Sequence, residues 1–223
     1  MKRSITFLAL VVILTLSVRS AFAAGYWDTP QLFTPANSSS GDWVIFPTLD
    51  DLSFYLATER DGHTGELQIY RADRSDTSSP WGTPVEVSEL NGPQGDVMNW
   101  VSGDNLEAYL HKVAIGDPYN QPGAVYRTTR SSVSDPWGTP VVTDFSTSNT
   151  EIEFAATADG LYGLVCSKRA GGLGNHDLWE VSRPDLSSPW STPANVSELN
   201  SGAIEGGPFL SPDGLSAPFH KFS

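Results

Sequence analysis

Cys166 is the only cysteine in 223 residues, so no disulfide can form within the chain. It stands in the alternating run LYGLVCSKR (161–169), where a small buried hydrophobe fits better than a reactive thiol. Positive charge is scarce as well: 13 Lys and Arg face 26 Asp and Glu, a formal charge of −13. Nucleic-acid binding rests on Lys and Arg neutralising phosphates, and anionic membrane surfaces attract the same residues. Both partners are disfavoured. The acid excess suits an extracytoplasmic protein, or one that binds cations or basic partners. The apolar run Ile5 to Leu16 has 12 residues, whereas a bilayer span needs about 20. Beyond it the chain shows no sustained helical periodicity, which leaves an all-β reading.

That short run sits in an export signal. Lys2 and Arg3 precede it, and Ala21-Phe22-Ala23 follows as a small-residue cleavage site, so residues 1–23 read as a signal peptide and 24–223 as the exported chain. Cleavage removes Lys2, Arg3 and Arg19 and no acid, leaving 10 basic against 26 acidic residues, a net charge of −16. The expected location is the periplasm or the cell exterior, with no membrane span in the mature chain.

Internal similarity sets the architecture. SSPWGTPVEVSELN (78–91) returns as SDPWGTPVV (134–142) and SSPWSTPANVSELN (187–200), with a weaker copy, GYWDTPQLFTP, at 25–35. Trp27, Trp81, Trp137 and Trp190 are 54, 56 and 53 residues apart. A turn aspartate keeps the same register at Asp50, Asp104, Asp159 and Asp213, spaced by 54, 55 and 54. An aromatic residue, Tyr70, Tyr126 or Trp179, precedes the next tryptophan by 11. Each unit reads as four short strands. In the third they cover 150–160, 161–169, 176–184 and 191–199, separated by Asp-Gly and Ser-Pro turn steps. A four-stranded unit of about 50 residues is the sequence signature of a β-propeller blade. The tryptophan turn then marks the entry to each blade's outer strand, where flanking prolines fix the chain direction.

The third repeat resembles the WD40-like, TolB-type propeller repeat (PD40). The resemblance rests on Pro208-Phe209-Leu210-Ser211-Pro212-Asp213-Gly214, Arg169-Ala170-Gly171-Gly172, Asp177-Leu178-Trp179 and Pro189-Trp190, and extends over residues 25–214. It weakens in the second repeat, where HKVAIGDPYNQPGAVY replaces the Gly-Gly turn. The resemblance implies an exported, usually six-bladed propeller used mainly for binding. The mature chain accounts for an outer strand near 30–34, three complete blades and part of a fourth. After Ser216 the repeat pattern gives way to APFHKFS, with Pro218 ill-suited to an inner strand. We therefore expect a truncated or frameshifted fragment of a larger ring, with an irregular four-bladed ring or two chains pairing into a larger one as the alternatives.

Candidate chemistry is sparse. His63, His111, His176 and His220 form no helical metal motif and read as exposed loop residues. No Gly-x-Ser-x-Gly elbow is present. RSDTSSPW (74–81) and RPDLSSPW (183–190) keep the Asp-to-Trp spacing of the sialidase box without its Ser and Gly. Eight residues before each turn aspartate stands an acid, Asp42, Asp96, Glu151 or Glu205, at the start of the innermost strand. Such a ring around one mouth of the channel could bind Ca²⁺ through carboxylate oxygens or grip a basic ligand. Alternatively, Arg60 and Arg169, ten residues after their turn aspartates, return beside Asp42 and Glu151 as intrablade ion pairs; the second repeat has Ala114 at that place, with Lys112 two residues earlier on the same strand face, and the fourth has only Ser223. Three functions follow: a non-catalytic binding module for a protein or cell-envelope polymer, a propeller glycosidase, or a sensor fragment of a longer protein.

Overall fold

A computed structural model describes residues 31–63, 65–93, 95–113 and 123–222. The signal segment, Trp27, Ala114, most of the divergent second-repeat loop and Ser223 lie outside the described residues. Among the described residues, fourteen strands build four antiparallel sheets. The first contains β1 (Asp42–Pro47), β2 (Ser53–Thr58), β3 (Gln68–Asp73) and β4 (Val85–Glu86) in that spatial order. The second repeats it with β5 (Gly95–Val101), β6 (Glu107–Val113), β7 (Gly123–Thr129) and β8 (Val141–Val142). The third has β9 (Glu151–Ala156), β10 (Tyr162–Ser167), β11 (Asp177–Ser182) and β12 (Ala194–Asn195). The fourth holds β13 (Ile204–Gly206) and β14 (His220–Phe222). These are propeller blades, and all belong to one unit, Phe33–Ser223.

Middle strands such as SFYLAT in β2 are buried at every position: one face of β2 lies against the second blade, and the other is covered by Phe33, Ala36 and Trp81. The core therefore lies between blades. Tyr55, Ile69, Met98 and Leu110 pack at the first interface, and Tyr109, Val125, Phe154 and Val165 at the second. Leu164 meets Leu210 at the third.

The first hairpin turn of every blade is built alike. The carboxylate of Asp50, Asp104, Asp159 or Asp213 accepts from a hydroxyl two residues before it (Thr48, Ser102, Thr157 or Ser211) and from the backbone N–H two residues after it. The residue after each aspartate, Asp51, Asn105, Gly160 or Gly214, takes a left-handed φ between 56° and 69°. Gly, Asn and Asp tolerate that conformation best.

Three sequence expectations need correction. The outer strand expected over 191–199 shortens to β12, two residues long. Pro193 has no N–H to donate, and Asn200 then replaces the ladder: its side chain accepts from the Leu178 N–H and donates to the Leu178 carbonyl. Asn91 serves β3 in the same way. Near the N-terminus, residues 31–33 carry no regular structure where an outer strand was expected, and a turn closed by Ala36 N–H and the Phe33 carbonyl follows. The APFHKFS segment, expected to break the pattern, instead continues it. Pro218 offers its carbonyl to the Phe209 N–H, and β14 pairs with β13.

Candidate functional site

Of the four inner-strand acids, Asp42 and Glu151 open β1 and β9, Asp96 is the second residue of β5 and Glu205 lies within β13. Each is clasped inside its own blade. Asp42 meets Arg60 at 2.9 Å, Asp96 meets Lys112 at 2.5 Å, Glu151 meets Arg169 at 3.3 Å and Glu205 meets Lys221 at 3.7 Å. Every carboxylate also accepts from the backbone N–H four residues earlier, at Ser38, Gly92, Thr147 or Ser201. Three of the cations bond a carbonyl of that same loop: Arg60 on Ala36, Lys112 on Leu90 and Arg169 on Phe145. The acid and its cation thus fasten the loop through which the chain enters each inner strand. The aromatic ruler acquires a role here too, since Arg60, Lys112 and Arg169 lie 5.4, 5.8 and 5.4 Å above the rings of Tyr70, Tyr126 and Trp179.

Burial separates these clasps. It pushes the Asp42 carboxyl up, but hydrogen bonds from Thr58, Ser38 and Arg60 outweigh it and hold Asp42 below the usual range. Asp96 is fully buried, and there the desolvation exceeds what Lys112 and the Gly92 N–H return, so its carboxyl is raised. Asp96 and Glu205, which lack the arginine, are buried against lysines rather than open to a channel. Each position offers one carboxylate with a cation and N–H donors around it, a set that does not fit Ca²⁺. Among the described residues no three His, Cys, Asp or Glu side chains converge on a metal-sized site.

The tryptophan turns join neighbouring blades. Trp137 donates its indole N–H to Tyr55 of the preceding blade at 3.1 Å, and Trp190 donates to Tyr109 at 2.7 Å. An arginine seven residues before each tryptophan stacks on its ring, with Arg74, Arg130 and Arg183 at 4.3, 4.2 and 4.4 Å. The same arginines donate Nε–H to the carbonyl just after the turn aspartate, on Asp51, Asn105 and Gly160. Sequence reading missed this element, although RSDTSSPW, RSSVSDPW and RPDLSSPW display the constant Arg-to-Trp interval. In two of these segments Asp76 and Asp185 accept from the serines that follow, which lowers both carboxyls.

The second interface adds a buried hub. Glu107 accepts from Arg183 of the next blade at 3.1 and 3.2 Å, from Arg127 at 2.7 Å and from the Tyr109 hydroxyl at 2.7 Å. Burial raises this carboxyl, but Arg183, Arg127 and Tyr109 pull it below its ordinary value. A groove of about 430 Å³ borders the hub, and one of about 320 Å³ borders Arg71, Arg130 and Trp137 at the first interface. The groove recurs with the repeat, and around the hub Arg127 and Arg183 are already bonded to Glu107.

A different cavity draws on all four blades. At the ends of the inner strands opposite the acid clasps, an open cavity of about 270 Å³ is lined by Phe46, Leu49, Trp100, Ala155 and Leu210, with Thr48 and Asp51 as polar members. Asp51 is held by Arg74. The cavity suits an apolar group that enters past a polar rim.

The histidine expectation is overturned at two positions. His111 and His176 are buried rather than exposed. His111 lies on β6 beside Asn99, where burial brings its pKa down to about 3. Cys166 is buried as expected, and burial followed by the Glu153 carboxylate pushes its thiol well up.

No family model matches the chain, and no curated protein matches it. Among solved structures it is similar to a protein from Agrobacterium tumefaciens provisionally assigned as TolB, with TM-score 0.53 and 16% identity over 79% of this chain and 52% of that one. It is also similar to a thermostable family-43 glycoside hydrolase, with TM-score 0.52 and 13% identity over 79% of this chain and 64% of that one. At these identities the likeness shows the β-propeller fold. The chain spans about half the length of the first protein and under two thirds of the second.

Proposed function

We propose that this chain is an exported, non-catalytic β-propeller module that binds a protein or cell-envelope ligand through the cavity at the turn-aspartate mouth. The observation that carries the reading is the composition of that cavity. Four blades converge on it with apolar side chains, and its polar members lie on the turn just beyond β1. A partner's apolar side chain would fill it while the surrounding turns supply polar contacts. A glycosidase requires a pair of carboxylates across the substrate. Among the described residues this cavity carries one, Asp51, and Arg74 holds it. The N-terminal signal pattern supports the exported location.

The test uses a phage-displayed peptide library panned on the wild-type chain and on Ala156→Trp, which fills the cavity. The expected result is enrichment of peptides with an apolar core that lose binding to Ala156→Trp by about tenfold or more, the loss of roughly one hot-spot side chain. Equal capture by both proteins would overturn the cavity as the site. Steady release of nitrophenol from aryl glycosides, abolished by Asp51→Asn, would replace binding with glycan hydrolysis.

A further inference from the structure

We propose that the partner filling the turn-aspartate mouth is a basic protein segment, whose apolar side chain seats in the cavity while flanking lysines or arginines meet a rim of aspartates. The proposal rests on the binding reading and adds the chemistry of the partner. Cavity and rim are built from the same turns. Each blade lines the cavity with the residue just before its turn aspartate, which is Leu49, Gly103, Ala158 or Pro212. Asp50, Asp104, Asp159 and Asp213 thus stand one residue from the cavity wall, and all four are exposed.

In each turn one carboxylate oxygen serves the hydroxyl and the N–H of its own hairpin. The other oxygen of Asp50 accepts from the Asn105 side chain of the next blade at 2.8 Å. Those of Asp104, Asp159 and Asp213 accept from no other residue among the described ones. Hydrogen bonds from the Thr157 and Ser211 hydroxyls, then from the Leu161 and Leu215 N–H groups, hold Asp159 and Asp213 below the usual carboxylate range.

Cations are spread unevenly between the two mouths. Among the described residues no Lys or Arg lies within ion-pair distance of the four turn aspartates. Arg74, Arg130 and Arg183 reach the same turns, but they stack on tryptophans, with Arg74 bonded to Asp51 and Arg183 to Glu107. Lys112, Lys168 and Lys221 stand with Arg60 and Arg169 at the opposite mouth, where the inner-strand acids are already paired. The turn-aspartate mouth therefore sets four unpaired carboxylates beside apolar surface, with Leu49 and Phe209 about half exposed. A neutral apolar ligand would strip water from those carboxylates without replacing it. A basic segment supplies charge-assisted contacts in its place.

Fluorescence anisotropy with two labelled nonapeptides tests this. Both carry a central phenylalanine, flanked by lysines in one and by glutamates in the other. The lysine peptide should bind at least about tenfold more tightly, as expected for two exposed ion pairs. Asp104→Asn, Asp159→Asn and Asp213→Asn combined keep the turn acceptor oxygens, remove three charges and leave Asp50 to Asn105. That variant should bring the preference below about threefold, the remainder coming from the overall charge of the chain. Raising NaCl from about 50 to 500 mM shortens the screening length to about 4 Å and should weaken the lysine peptide on the wild-type chain, a measurement that needs no variant. Ala156→Trp should release it. Equal affinity for both peptides, lost in Ala156→Trp, would overturn the basic partner and leave the cavity reading standing. A lysine peptide that binds Ala156→Trp or the triple variant as well as the wild type would reflect attraction to the acidic chain at large, and the proposal would fall. Absence of binding by either peptide overturns it as well, and the library panned on wild type and Ala156→Trp then decides the cavity reading separately.

Discussion

Arg130 and Arg183 form a matched pair on which the energetics of the blade interface can be measured. Each stacks on the tryptophan seven residues later, at 4.2 and 4.4 Å, and each donates Nε–H to the turn carbonyl of the same blade pattern at 2.8 and 2.7 Å. They differ in what the guanidinium meets on the preceding blade. Arg183 engages Glu107 through both terminal nitrogens, whereas Ser53 occupies the position equivalent to Glu107 in the first blade. Among the described residues no carboxylate lies within ion-pair distance of Arg130, and burial pushes its guanidinium below the ordinary value.

Loss of a cation–π stack costs about 1 kcal/mol, and loss of the neutral-acceptor hydrogen bond about 1 more. Arg130→Ala should therefore cost about 2 kcal/mol. Removing one partner of a buried ion pair costs about 3–5 kcal/mol. Glu107 keeps Arg127 and Tyr109, so the lower half of that range, about 3–4 kcal/mol, applies, and with the stack and the hydrogen bond Arg183→Ala should total about 5–6 kcal/mol. Urea denaturation of both variants reads the difference directly. In a domain of this size a gap of about 3–4 kcal/mol lowers Tm by roughly 6–16 °C. Glu107→Leu combined with Arg183→Met should recover most of the loss, because replacing a buried pair with apolar groups is near neutral. Equal penalties for the two alanine variants, or a double mutant whose loss is the sum of its singles, would show that Glu107 contributes nothing to joining the blades.

Three further outcomes follow from other residues. His111 has a folded pKa of about 3 against an ordinary value of 6.5, so the unfolded chain binds more protons between those limits and stability falls as pH drops through them. Between pH 7 and 4.5 this amounts to roughly 2–3 kcal/mol, and His111→Gln should flatten that part of the urea-midpoint profile; an unchanged slope would refute it. Lys112→Met strands the buried Asp96 and should cost about 3 kcal/mol at pH 7, with the penalty shrinking as pH falls, since burial already raises the Asp96 carboxyl. A pH-independent penalty would mean that Asp96 stays neutral or reaches water. Asp159→Ala removes the acceptor for Thr157 Oγ1 and the Leu161 N–H and should lower stability by about 1–2 kcal/mol, while Asp159→Asn, which keeps one oxygen acceptor, should lose about half as much in the same titration.

The repeat was legible because each marker meets the same neighbours in every blade. A turn aspartate needs only its own hairpin, so its interval appears directly in the chain. The inner-strand acids were legible as positions, yet their setting was not: Lys221 could be recognised as the partner of Glu205 only once β14 folded back beside β13. His111 and His176 defeated the expectation of exposed histidines for a related reason. His111 sits on a middle strand covered on both faces, and His176 bridges to Ile204 of the fourth sheet, so polarity in the sequence does not mark exposure.

By itself the sequence determined the all-β class, the four-strand unit, its period and the turn chemistry, since these depend on contacts within about 50 residues. Tertiary structure decided what happens between units. Glu107 meets Arg183 across 76 positions and Trp137 meets Tyr55 across 82, and no local pattern encodes which blade face will be covered. The cavity at the turn-aspartate mouth exists only once the blades stand side by side, because it is assembled from residues that are remote in the chain and adjacent only through packing.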